Sequence, residues 1–209
     1  MDVKSKIIQE ASELVMQFGI RTVTMDDISR NIGISKKTIY QYFKDKKELV
    51  STVTQLHLDR EERRFLEATN ESKDSIHELI LVSQCLREAM KDMKANILHE
   101  MQKFYPESWK QYQFFKEKVM KDALIQTINR GQKEGYFRPN IDAELLATMR
   151  IEQVQSFMLN NLYPRDKYSI YEVQMRLFDH FIHGLFTIKG HQLFNQYSNI
   201  KENQNETLA

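Results

Sequence analysis

Cysteine, proline and glycine are all scarce in this chain of 209 residues: one Cys, three Pro and six Gly. A single thiol, Cys85, excludes an intrachain disulfide framework and fits a reducing compartment. In ILVSQCLREAM it reads as a small buried apolar residue rather than a redox sensor. No proline precedes Pro106, so nothing before it forces a helix break. No apolar run reaches the roughly 18 residues that a membrane span needs. The opening MDVKSKIIQEASE has neither an apolar core nor a cleavage site, so no secretory signal and a cytoplasmic location are expected. Charge of one sign is missing too. The formal total is +1, so global charge announces no nucleic-acid partner. GxSxG, P-loop, GxGxxG and HExxH motifs are absent, so no catalytic signature is visible and no cofactor is expected. Runs of alternating apolar residues are absent as well, so strands are not indicated.

What is present is helical periodicity, which predicts an all-α fold of roughly nine helices. The first spans about 3–18, with the stripe Ile7, Ala11, Leu14, Val15, Phe18 and a stop at Gly19. Thr24 offers an N-cap, with Asp27 three residues on, for a helix over about 25–32 that turns Ile28 and Ile32 inward. Gly33 supplies a turn, and Ser35 caps a helix over about 36–43 with Ile39 and Phe43 inward. Longer helices are expected over 46–68, 76–101, 107–131, 143–162 and 170–188, the last two capped by Asp142 and Ser169. DREERR at 59–64 reads as a solvated connector. The implied organisation is a head of residues 1–47, a body of 48–198 and a polar, disordered tail of 199–209.

Two short helices joined by a glycine turn form the layout of a helix-turn-helix, which offers its second helix to the DNA major groove. Residues 20–47 carry seven Lys/Arg against three Asp, a local excess of four on an otherwise mildly acidic chain. With Ile39 and Phe43 inward, Lys36, Lys37, Thr38, Gln41 and Tyr42 face outward. Lys suits phosphate or guanine, Gln suits adenine, and Thr can touch the thymine methyl. Tyr40 and Tyr42 carry hydroxyls able to reach phosphate, and Lys46 stands at a helix start where backbone N–H groups are free.

TVTMDDISRNIGISKKTIYQYFKDKKELV, residues 22–50, resembles the N-terminal signature of the TetR family of transcriptional regulators. GQKEGYFRPNIDAELLA at 131–147 is similar, more loosely, to a segment of that family's body. The resemblance implies a homodimeric repressor, released from a palindromic DNA operator by a small ligand. It implies base contacts from Lys37, Thr38 and Gln41, and phosphate contacts from Thr24, Ser35, Lys36, Tyr40, Tyr42 and Lys46. The chain departs from the family pattern at Ser29 and Ile32, where Ala is common, and at Lys37, where Gly is common.

The body is less readable. Met101, Phe104, Tyr105, Trp109, Tyr112, Phe115 and Met120 make an aromatic, Met-rich tract that fits either a plain core or an adaptable pocket for an apolar or amphipathic effector. Arg150, Gln153 and Phe157 are further pocket candidates, the polar pair as groups that orient a ligand or pair across a dimer. Met149, Val154 and Met158, with Val173, Leu177, Phe178, Phe181, Ile182, Gly184 and Leu185, form stripes suited to an intermolecular four-helix bundle or to an internal core. His180 and His183 have a metal-ligand spacing, but no Cys or carboxylate cluster supports them, so no metal is expected. Two other readings stay open: a regulator that acts through a protein partner, and an all-helical enzyme or carrier.

Overall fold

The computed structural model describes residues 2–91, 96–160, 162–164 and 166–206. Among them there is no strand beyond one isolated bridge, Phe137 to Phe186. The helices are α1 (Val3–Phe18), α2 (Met25–Asn31), α3 (Lys36–Tyr42), α4 (Lys46–Glu71), α5 (Ser75–Lys91), α6 (Ile97–Phe104), α7 (Pro106–Phe115), α8 (Lys121–Glu134), α9 (Ala143–Leu159), α10 (Ile170–Leu185) and α11 (Ile188–Glu206). A π-helical turn, Lys116–Met120, joins α7 to α8, so the two run on as one irregular helix.

Local chemistry sets the boundaries. Thr24 and Asp27 form a full reciprocal capping box on α2. Ser35 accepts from the Thr38 N–H at the start of α3, and Asp142 and Ser169 cap α9 and α10. Gly33 lies at φ +70°, where an L side chain is strained, and so turns the chain between α2 and α3.

Several expectations are corrected. The stretch 76–101 is not one helix. Asn96 stands in a turn ahead of α6, and residues 92–95 lie outside the described set. The stretch 170–188 ends at Leu185, and a further helix follows from Ile188 to Glu206; residues 207–209 are outside the described set. Phe18 is 48% exposed rather than part of the α1 stripe, because Gly19 turns the chain just beyond it. The DREERR segment is not solvated all round. Glu61 is buried and pairs with Arg64 at 3.2 Å. It continues the α4 face of Val50, Thr54, Leu58 and Phe65, at helical spacing.

One apolar cluster builds the head: Ile7, Ala11, Ile20, Ile28, Ile39 and Phe43, all at most 2% exposed. The cluster runs past residue 47 into Leu49, Val50 and Val53 of α4, and onto Ile97, Met101 and Tyr105 of the body. A second cluster joins α5, α8, α10 and α11 around Phe137 and Leu185. Gly131 lies directly under the Phe137 ring, which a Cβ there would overlap. Because Phe137 is fully buried, its ring has nowhere to go. Gly131→Ala is expected to lower stability by about 1–3 kcal/mol. Urea unfolding measures this, and an unchanged midpoint would contradict the packing.

Candidate functional site

The inward face of α3 is held by Ile39 and, just past its end, Phe43, both buried. The opposite face is open: Lys36, Lys37, Gln41, Tyr40 and Tyr42 are exposed, the two rings at 45% and 41%. Thr38 is half-buried, and its hydroxyl lies 2.8 Å from that of Ser35. Lys36 Nζ donates to Asp26 Oδ2 at 2.8 Å, and this exposed contact raises its pKa. Thr24 is committed to its cap: its hydroxyl donates to Asp27 Oδ2 at 2.6 Å. A phosphate contact from the Thr24 hydroxyl therefore has to displace an internal bond, whereas the Lys36 ammonium keeps two further donors.

Lys46 does not simply crown α4. It is half-buried, which pulls its pKa down, and its Nζ donates to the Arg21 carbonyl at 3.3 Å. It also lies 6.0 Å from the centre of the Tyr105 ring. This is part of a joint between head and body. Glu100 of α6, buried, accepts from the Arg21 N–H at 2.9 Å and from Asn96 Nδ2 at 2.7 Å. The Arg21 guanidinium sits 4.5 Å over the Phe104 ring. Sequence reading missed Arg21 and Glu100, since a partner 79 residues away leaves no local pattern.

Behind the joint lies an apolar cavity of about 140 Å3. Its walls include Val15 and Ile20 of the head, Val53 and Glu61 of α4, Met101 of α6 and Phe115 of α7. A second cavity of about 70 Å3 adjoins it toward α8, α9 and α10. Phe65, Leu86, Met90, Met120 and Val154 wall both. Of the expected pocket residues, Met101, Tyr112, Phe115 and Met120 line the first cavity, and Arg150 lines the second. Phe104, Tyr105 and Trp109 do not; they pack on the head cluster at the joint. Gln153 and Phe157 line neither cavity: Gln153 accepts from Arg150 at 2.8 Å, and Phe157 stacks on Tyr163.

The expected dimer face divides. Val154, Met158, Ile182 and Leu185 are buried within the protomer, so they are core. Phe178 and Phe181 are half-buried and wall the second cavity. Met149 is 58% exposed, Val173 and Leu177 are half-buried, and a Cβ on Gly184 would meet nothing. His183 pairs with His191 rather than His180, their Nδ1 atoms 3.3 Å apart. Among the described residues, no three His, Cys, Asp or Glu are grouped to hold a metal. Cys85 is half-buried, its Sγ 4.0 Å from the Arg64 carbonyl, and burial pushes its thiol pKa up, away from reactivity.

Residues 7–53, from α1 into the second turn of α4, match the family described as "Bacterial regulatory proteins, tetR family". The head is a TetR-family DNA-binding domain. The chain is 23% identical over 146 residues to the HTH-type transcriptional repressor KstR2 of Mycobacterium tuberculosis, covering 68% of this chain and 73% of the relative. Its fold is similar to a transcriptional regulator of Saccharomonospora viridis in complex with choline, at TM-score 0.70 and 20% identity over 88% of this chain and 97% of that one. It is similar also to the transcriptional regulator FadR of Bacillus subtilis in complex with stearoyl-CoA, at TM-score 0.61 and 18% identity over 87% and 98%. The TetR-family head and these relatives make the chain a DNA-binding transcriptional regulator. No helix among the described residues is long and apolar enough to cross a membrane.

Proposed function

We propose that this protein is a cytoplasmic homodimeric repressor that binds a palindromic double-stranded DNA operator and leaves it when a small apolar or amphipathic effector enters the body. The observation that carries this reading is that the larger cavity is walled by the head itself, through Val15 and Ile20, by Val50 and Val53 of α4, and by Met101 of α6. An occupant therefore touches both sides of the Glu100–Arg21 joint. DNA favours one spacing of the two α3 helices, and an effector that fits the other spacing better shifts the population away from it. By linkage, DNA must weaken that effector to the same extent.

On this reading Lys37, Thr38 and Gln41 touch bases, while Thr24, Ser35, Lys36, Tyr40, Tyr42 and Lys46 hold phosphates. The partner copy covers the face that carries exposed Met149 and Leu145 and the open Gly184, since two half-sites need two heads. The head of 1–47 then reads DNA and the body of 48–198 senses and dimerises. The KstR2 relative is named a repressor, and two fold neighbours hold small ligands.

Gln41 gives the sharpest test. Gln41→Ala is expected to cost about 1–3 kcal/mol on the operator and to relax base preference at one position. Binding to random DNA should barely change. Fluorescence anisotropy on both DNAs reads the difference; equal losses on the two sink the assignment.

A further inference from the structure

The second cavity is lined by a charge that no described residue neutralises. Arg150 is 6% exposed. Among the described residues, its one hydrogen bond runs from Nη1 to the neutral amide oxygen of Gln153 at 2.8 Å. Its guanidinium carbon sits 5.7 Å from the Phe178 ring centre and 6.0 Å from that of Phe181. Among the described residues, no carboxylate forms an ion pair with it. Burial pulls its pKa down to about 10, so it stays charged at neutral pH. The other charged group on the cavity wall, Glu78, is already used: it accepts from the Thr69 and Thr127 hydroxyls at 2.9 Å each and from Arg130 at 3.4 Å.

A buried cation is costly unless a partner and hydrogen bonds compensate it. Arginine carries five donors in a planar fork that matches a carboxylate. The wall holds a second unmet polar atom. Gln174 is 0% exposed, its amide nitrogen donates to the Val154 carbonyl at 3.1 Å, and its oxygen accepts nothing among the described residues. These two groups line a largely apolar space that shares the walls Phe65, Leu86, Met90, Met120 and Val154 with the larger cavity. The arrangement is incomplete without an occupant that is anionic at one end and apolar along its length.

We propose that the effector is an amphipathic carboxylate, its anionic head bound by Arg150 between α9 and α10 and its apolar tail extending past Met120 and Phe115 toward Met101 and the head. This rests on the effector reading given above. The volumes, about 140 and about 70 Å3, set the tail at about eight carbons, scaled from a cavity of about 150 Å3 that holds benzene.

Calorimetric titration of the full chain with octanoate, 1-octanol and octylamine tests it. Octanoate is expected to bind tightest and octylamine weakest. Arg150→Met should weaken octanoate about 10- to 100-fold, the scale of a lost charge-assisted bidentate pair, and leave 1-octanol unchanged or tighter. Retained 1-octanol binding shows that the variant is folded. Arg150→Lys should recover part of the octanoate affinity. If 1-octanol matches octanoate in the native chain, or if Arg150→Met leaves octanoate untouched, the anion assignment falls while the apolar cavity stands. If none of the three probes binds, the cavity reading falls and takes the assignment with it.

Discussion

Raising the salt concentration from about 50 mM to about 200 mM is expected to weaken operator binding about a thousandfold. In the proposed dimer, each of two heads presents Lys36, Lys37 and Lys46 at or beside α3. If about six phosphates are neutralised in all, the logarithm of affinity falls with a slope of about −5 on the logarithm of salt, which gives that factor for a fourfold rise. The cations are not tightly bound internally. The Lys36–Asp26 contact is exposed on both sides, at 47% and 53%, and such pairs are worth little in salty water. Lys46 is different. Its half-burial and its bond to the Arg21 carbonyl tie it to the joint, so it can report head position as well as touch phosphate. Anisotropy titrations across four salt concentrations give the slope. A change of less than tenfold would mean that the head does not bind through phosphates.

Phe43→Ala is expected to cost about 3–5 kcal/mol, the range for truncating a fully buried aromatic ring, and to abolish DNA binding at physiological temperature. Phe43 is 2% exposed and closes the head core with Ile39, Ile28 and Ile7. It also ends α3: its N–H donates to the Ile39 carbonyl at 3.0 Å. Removing the ring frees the helix from the surface that sets its angle in the groove. Circular-dichroism melting gives the stability loss and anisotropy the binding loss. A variant that melts like the native chain but fails on DNA would place Phe43 in the groove instead of the core.

The head was legible because its signals are short-range. Thr24 with Asp27, Ser35 with Thr38 and Gly33 act over three residues or fewer, and sequence shows them directly. The inward pair Ile39 and Phe43 then fixes which residues of α3 face out. The body was less legible for the opposite reason. Periodicity marks a stripe as apolar but does not say whether it meets the same chain, a second copy or a cavity. So Ile182 and Leu185, open in the sequence between an interface and a core, are core, while Phe104, Tyr105 and Trp109, open between a pocket and a core, brace the head. Glu61 was hidden by charged neighbours, although its spacing from Leu58 and Phe65 places it on the buried face. Arg21 with Glu100, and Gln174 with Val154, depend on tertiary contacts that no local pattern encodes.

A protection footprint of the purified protein on the DNA flanking its own coding sequence tests the central claim most directly. Two heads, each reading with α3, predict two protected half-sites related by two-fold symmetry, with centres about 34–36 Å apart or a multiple of that. Protection should be lost when Lys37, Thr38 and Gln41 are replaced together by Ala, with the melting temperature unchanged. The same footprint from native chain and triple variant would contradict the account.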